Sequence, residues 1–430
     1  MKCLFSIICL LVGLNVFSKP SDDIFLFHER GGLPNVSRLI NSNQEVNIAY
    51  LGGSITAQNG WRVMNFDYLG KKYPQVTFRQ INATMGGTGS LLGNLRLKKD
   101  VLRHHPNLVF VEFAVNDAGV QDSIVVRSME GIVQKIWQQA ADCDICFVYT
   151  TKSDIIEEVG TEKLHHTVMA MEKVAEHYGI PSVYLPYYAI QLLKKGKLKM
   201  KCGTDMKVVS GNKLNVSSDS SENKEEIICF SKDGVHPFLN TGHVLYDKTL
   251  TEAMERLIDR NSRIRFHQMN PLLDRNCYRN SPQILLSAMT KGGEWKKVES
   301  QFPPFPSYKS RFDELWMGEK GATLEFSFKG HSLISYDLIS PEGCRLEVTV
   351  DGITHYVDRF DKYSTYFRFH SMTLVSGLNP TVTHNVKIKI VDEGLDKRKI
   401  LSDLDAQDIE KNPQKYTPVR WYVNSIFILE

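Results

Sequence analysis

The sequence predicts an α/β domain built on a mostly parallel sheet, followed by a smaller antiparallel β-sandwich of jelly-roll-like build. From Val46 to about Arg260, short apolar runs alternate with longer amphipathic stretches. That is the pattern of strands crossed over by helices on both faces of one sheet. Past Pro306 the apolar residues recur at every second position, as in half-buried antiparallel strands. Length supports two units, because a single core usually stops growing near about 250–300 residues and this chain has 430.

In chain order, Lys2 and the apolar run from Cys3 to Phe17, closed by Ser18, read as a secretory signal peptide over residues 1–18. The run is shorter than the ~20 residues of a spanning helix, and no later stretch is long and apolar enough to cross a bilayer. The expected location is therefore secreted or extracytoplasmic. Apolar content of 42%, charged content of 23% and a net charge of +3 give no reason to invoke a nucleic-acid partner or an anionic membrane. Of the eight cysteines, Cys3 and Cys9 fall in the leader, leaving Cys143, Cys146, Cys202, Cys229, Cys277 and Cys344. An even set in a secreted chain permits disulfides whose pairing spacing does not fix. The best single pair is Cys202 with Cys229, which flank a polar insertion whose freedom the bond would limit. Cys143 and Cys146 have CxxC spacing without a second such pair, so they read as buried thiols or a local disulfide rather than a metal site. Sequons stand at Asn35, Asn82 and Asn215, relevant only in a eukaryotic secretory pathway.

Within residues 19–262 the expected strands are Val46–Leu51, Val76–Ile81, Leu108–Phe113, Ile145–Tyr149 and Ser182–Leu185, with helical windows at Arg127–Ala141 and Lys163–Tyr178. In such a fold the site lies at the carboxyl ends of the strands. Polar signals fall there: Gly52-Gly53-Ser54 after the first strand, Gly86-Gly87-Thr88-Gly89-Ser90 after the second, and Asn116-Asp117 after the third. Asp233-Gly234-Val235-His236-Pro237 then precedes a helix starting near Asn240 or Thr241. Each alone is an ordinary turn. Together they supply what acyl transfer requires: a hydroxyl nucleophile, a base, a group orienting the base, and donors for an oxyanion. Ser54 is the candidate nucleophile, His236 the base and Asp233 its orienting partner. The backbone N–H groups of Ser54 and Gly87 and the side-chain amide of Asn116 are the candidate oxyanion donors. His104, His105, His165, His166 and His243 read as surface or capping residues.

With these blocks in view, Val46 to about Arg260 resembles the SGNH hydrolases, the GDSL-type esterase and lipase superfamily. The landmarks match as Ser54 in Gly52-Gly53-Ser54-Ile55, Gly87, Asn116 in Val115-Asn116-Asp117, and Asp233 with His236. The resemblance implies a flavodoxin-like α/β/α sandwich and metal-free, cofactor-free ester hydrolysis through an acyl-enzyme. Gly53 and Ile55 depart from the Asp and Leu of the family name, which bears on subfamily and substrate. The fuller string Gly-Gly-Ser-Ile-Thr, with Gly60-Trp61 after it, is similar to that of secreted carbohydrate O-deacetylases.

The polar stretch at about 197–226 breaks the alternation and reads as a long loop, either lining the substrate mouth or merely solvated. Residues 263–306, rich in proline, read as a connector. In residues 307–430 the expected strands are Thr323–Phe328, Ser332–Tyr336, Arg345–Val350, Thr354–Val357, Tyr366–Phe369, Asn385–Ile390 and Trp421–Leu429, with a helical excursion over Asp392–Lys415. Tyr336, Tyr356, Tyr363, Tyr366, Phe369 and Trp421 suit either a core or stacking on sugar rings, the core being the commoner use of aromatics at strand spacing. The leading expectation is a secreted serine esterase acting on O-acetyl esters of a carbohydrate. A lipid esterase, an O-acyltransferase and a noncatalytic glycan-binding protein are the alternatives.

Overall fold

The computed structural model describes residues 23–202, 227–258, 263–401 and 406–430; the leader, most of the polar insertion and the sequon at Asn215 lie outside them. The first unit runs β1 (Phe27–His28), α1 (Pro34–Asn41), β2 (Val46–Gly52), α2 (Ser54–Ala57), α3 (Trp61–Lys72), β3 (Phe78–Thr84), α4 (Ser90–Asp100), β4 (Leu108–Glu112) and α5 (Asp122–Gln139). It continues through β5 (Asp144–Tyr149), α6 (Ser153–Val159), α7 (His166–Tyr178), β6 (Ser182–Tyr184) and α8 (Tyr187–Lys194), then β7 (Leu198–Lys201), β8 (Ile228–Ser231) and α9 (Gly242–Leu257).

Its sheet has the order β1-β6-β5-β4-β2-β3. Strands β2 to β6 are parallel and β1 joins the edge antiparallel. Numbered by the parallel strands alone this is 2-1-3-4-5, the flavodoxin-like winding, whose direction reverses between β2 and β4. Strand side chains alternate between faces, so Ile48 and Tyr50 of β2 enter a core with α1, α3 and α9. Ala49 and Leu51 enter the opposite core with α4, α5 and α7. Burial on both sides explains the near-continuous apolar runs. The second strand begins later than expected: Val76 belongs to the preceding turn, its N–H bonded to Tyr73 O at 3.0 Å, and pairing with β2 starts at Phe78 opposite Val46.

Strands β7 and β8 form a separate two-stranded parallel ribbon, and a Cys202–Cys229 disulfide ties it. Cys143 and Cys146 are buried free thiols, as are Cys277 and Cys344. Asn35 is 3% exposed, and its amide donates to Asp144 Oδ1 at 3.0 Å and Arg265 O at 2.8 Å. That side chain has no room for a glycan.

The second unit is a sandwich of two antiparallel sheets. Its strands are β9 (Gln283–Leu285), β10 (Thr290–Gly292), β11 (Trp295–Lys297), β12 (Trp316–Glu319), β13 (Thr323–Phe328), β14 (Ser332–Ile339), β15 (Arg345–Val350), β16 (Ile353–Asp358), β17 (Arg368–Val375), β18 (His384–Val391) and β19 (Arg420–Leu429). One sheet is ordered β10-β13-β18-β15-β16 and the other β11-β12-β19-β14-β17, with β9 also paired to β19. Stretches read as connector thus supply three short strands. The excursion before β19 holds α10 (Lys397–Ile400), α11 (Ala406–Lys411) and α12 (Pro413–Tyr416). Tyr336 and Trp421 are buried, whereas Tyr356, Tyr363 and Tyr366 are exposed. Trp421 Nε1 and Arg359 Nε both donate to the buried Asp337 Oδ2, at 2.7 and 2.8 Å. The two units share a core in which Met85, Leu92 and Leu95 meet Phe312, Tyr336 and Phe427.

Candidate active site

Strand β2 ends at Gly52, and Ser54 opens α2 immediately after it. The turn that carries His236 is held from several sides. Ser231 bridges Pro237, Gly234 N–H donates to Ser231 Oγ at 2.8 Å, and Gly234 O accepts from Ser153 N at 2.7 Å. This frame sets His236 Nε2 2.9 Å from Ser54 Oγ and His236 Nδ1 2.7 Å from Asp233 Oδ2. The other oxygen, Asp233 Oδ1, accepts the N–H groups of Val235 and His236, each at 2.8 Å. Burial alone would raise the Asp233 pKa, but the donors from His236 and Val235 outweigh it and hold the carboxyl below its ordinary value. An Nδ1–H given to Asp233 leaves Nε2 free to accept from the Ser54 hydroxyl.

The candidate oxyanion donors gather round the same serine. A Cβ placed on Gly86 would lie 3.6 Å from Ser54 Cβ, so the second glycine turn runs against Ser54. Gly87 follows with φ +72, a conformation that favours glycine. The Asn116 amide packs onto Gly53, where a Cβ would stand 1.9 Å from Asn116 Oδ1. That close approach requires glycine at the position where the family name has aspartate. The structure therefore brings Ser54, Gly87, Asn116, Asp233 and His236 together at the carboxyl ends of β2, β3 and β4 and in the turn before α9.

Buried residues outside the expected set support them. Glu112, the last residue of β4, is 1% exposed and accepts from Thr56 Oγ1 at 2.7 Å and Thr150 Oγ1 at 2.6 Å. Burial raises its pKa, opposed by those hydroxyls and the Gly53 N–H. A lone carboxylate inside the apolar run Leu108–Phe113 was its signal in the sequence. Asp117 accepts from Ser90 N at the start of α4, at 3.1 and 3.3 Å; burial pushes its pKa up to about 6 against the Ser90 bonds.

Among the other histidines, His165 caps α7 as expected, but His243 does not lie at the surface. It is 0% exposed, its Nδ1 accepts from Trp61 N at 3.2 Å, and its Nε2 lies 3.1 Å from Gln58 Oε1. Burial, then the charge of nearby His236, lowers its pKa to about 4. It braces the segment that follows α2.

A flavodoxin-like sheet with a serine at the end of its first parallel strand and a late Asp-x-x-His turn agrees with the resemblance to the SGNH hydrolases. Residues 50–198 match the model of the GDSL-like Lipase/Acylhydrolase family. Two solved structures resemble the chain over both units. One, a two-domain esterase active on acetylated mannans co-crystallized with mannopentaose, is 20% identical with a TM-score of 0.64, covering 93% of this chain and 95% of the other. The second, also a two-domain esterase active on acetylated mannans, is 18% identical with a TM-score of 0.67, covering 93% and 96%. At that identity the likeness establishes the shared two-domain fold. Comparison with curated proteins finds no match.

Proposed function

We propose that this protein is a secreted serine esterase that removes O-acetyl groups from a carbohydrate, with Ser54, His236 and Asp233 as its catalytic line. The observation that carries the reading is the pair of contacts, 2.9 Å from Ser54 Oγ to His236 Nε2 and 2.7 Å from His236 Nδ1 to Asp233. They stand where the sheet reverses direction and next to the Gly86-Gly87 turn and Asn116. His236 takes the Ser54 proton as Oγ attacks the acetyl carbonyl, and the resulting oxyanion is met by the N–H groups of Ser54 and Gly87 and the Asn116 amide. The same histidine then gives its proton to the departing sugar oxygen. Water, deprotonated by His236, attacks the acetyl-Ser54 ester and releases acetate.

The family match supports ester hydrolysis, and the two-domain acetylmannan esterases give the carbohydrate reading its support. The apolar run closed by Ser18 motivates secretion. The test is acetate release from acetylated mannan, xylan and pectin and from a small activated ester, with Ser54→Ala beside the wild type. Loss of release in the variant is the expected result. Release that survives Ser54→Ala overturns the serine mechanism. No release from any ester by the wild type moves the reading to acyl transfer or glycan binding.

A further inference from the structure

The loop that carries Asn116 leaves β4 after Glu112 and enters α5 at Asp122. The Asn116 side chain rests against Gly53, and no hydrogen bond holds it among the described residues. Where the amide points therefore depends on how the backbone on either side of it is fixed.

The first turn of α7 grips that backbone at two carbonyls, each two residues from Asn116. Thr167, 0% exposed, donates from Oγ1 to Ala114 O at 3.2 Å. His166, the first residue of the helix, sets Nε2 3.0 Å from Ala118 O and Nδ1 2.6 Å from Asp122 Oδ1. Both partners are acceptors, and a ring with a proton on each nitrogen donates to both. Between the two carbonyls, Asp117 ties the loop to α4 through Ser90 N at 3.1 and 3.3 Å. Beyond Asp117 the backbone bonds, Ala118 N–H to Val115 O at 3.4 Å and Val120 N–H to Asp117 O at 2.8 Å, stay within the loop. The contact from His166 is thus the hydrogen bond that ties this flank to another element. The ion pair with Asp122 does less: its side chains are 36% and 61% exposed, and exposed pairs contribute little.

We propose that His166 is a positioning residue for ester hydrolysis: by holding Ala118 O it keeps the Asn116 amide aimed at the oxygen that becomes the oxyanion. The role rests on the serine-esterase reading. It concerns turnover more than substrate binding, because the amide matters most once that oxygen carries negative charge. Loss of the contact should appear in kcat and leave KM nearly unchanged.

The test uses the full chain and an activated acetyl ester, with wild type and Ser54→Ala measured first. No turnover by the wild type, or turnover that survives Ser54→Ala, overturns the esterase reading and the role of His166 with it. Given turnover that needs Ser54, His166→Ala should lower kcat about 10- to 100-fold, the usual effect of a misplaced group. In an Asn116→Ala background the same change should cost nothing more, since no amide remains to be aimed. Two amide variants separate the contacts. The longer side chain of His166→Gln can donate to Ala118 O and should recover most of kcat; that of His166→Asn reaches only toward Asp122 and should not. A plain loss of folding would move both alike, and unfolding temperatures are read beside the kinetics. Wild-type kcat in His166→Ala overturns the role of His166 alone. So do losses that add fully to those of Asn116→Ala, equal kcat in the Gln and Asn variants, or recovery by Asn in place of Gln.

Discussion

Gly53→Ala isolates the part Asn116 plays. Gly53 has φ −88 and ψ −153, a backbone that alanine adopts freely, so the added methyl is the whole perturbation. It would stand 1.9 Å from Asn116 Oδ1 and 2.8 Å from Asn116 Cγ, far inside contact distance. The amide must swing away, and because Asn116 is only half-buried it can turn toward solvent. The stability cost should stay near the usual about 1–3 kcal/mol of an added methyl. Losing one oxyanion donor, by contrast, removes ~2.7–4 kcal/mol of transition-state stabilisation, about 10²- to 10³-fold in kcat. The assay is kcat and KM for an activated acetyl ester, with thermal unfolding alongside. Gly53→Ala and Asn116→Ala should each lower kcat by that factor with little change in KM. The double variant should be no worse than Asn116→Ala, because the methyl then has nothing to displace. Full additivity would mean that Gly53→Ala acts on something other than the amide. Wild-type kcat in Asn116→Ala would remove the amide from the oxyanion hole altogether.

Glu112→Leu strands the Thr56 and Thr150 hydroxyls and the Gly53 N–H it now accepts, so kcat and unfolding temperature should both fall, whereas Glu112→Gln, which keeps an acceptor, should recover most of each. Acid stability should depend on Glu172: burial raises its pKa, but the His28 hydrogen bond and the Arg30 charge prevail and hold it down to about 2, against 4.5 unperturbed. A depressed carboxylate stabilises fully above its unfolded value and loses that contribution as pH falls toward 2, at most about 3 kcal/mol here. Chemical denaturation from pH 6 to 2.5 should show that loss, and Glu172→Gln should flatten it. Removing the Cys202–Cys229 bond, which closes a separation of 27 residues, should lower stability by about 3–4 kcal/mol on loop entropy, read from urea midpoints with and without reductant.

Much of the α/β unit was legible because the parallel strands β2, β4, β5 and β6 are largely buried on both faces and announce themselves as apolar runs, unlike the half-exposed edge strand β3, while the polar blocks at their ends mark where the sheet opens. The strand boundaries of the sandwich were equally plain wherever alternation was clean: Thr323–Phe328 and Arg345–Val350 stand as expected. Strands β9, β10 and β11 were not legible. Each is three residues long, too short for a period, and owes its form to the partner it borders. His243 was hidden for a related reason, since its helix position says nothing of Gly60, where a Cβ would fall 2.1 Å from the His243 ring. Glu112 was visible as an anomaly, but only the neighbouring hydroxyls of Thr56 and Thr150 give it a purpose. Tyr366, expected in a strand, lies exposed before β17, because an aromatic-rich run reads the same in a loop as in a ladder.

Strand β19 follows every other strand of its sheet in the chain, yet it occupies the middle. β14 flanks one side along most of its length, and β12 and then β9 flank the other. During synthesis the α/β unit, whose parallel strands are all made early, can assemble while the sandwich still has a gap at its centre. Until Arg420–Leu429 leaves the ribosome, β9, β12 and β14 each present an unpaired edge, the feature that invites strand exchange between chains. Tyr422, Phe427 and Leu429 of the same strand also fill the core that joins the units, beside Met85, Leu92 and Leu95. Strand β19 therefore closes two interiors in one event, and a chain cut short before it would have Ser54, Asp233 and His236 in place beside an open, adhesive flank.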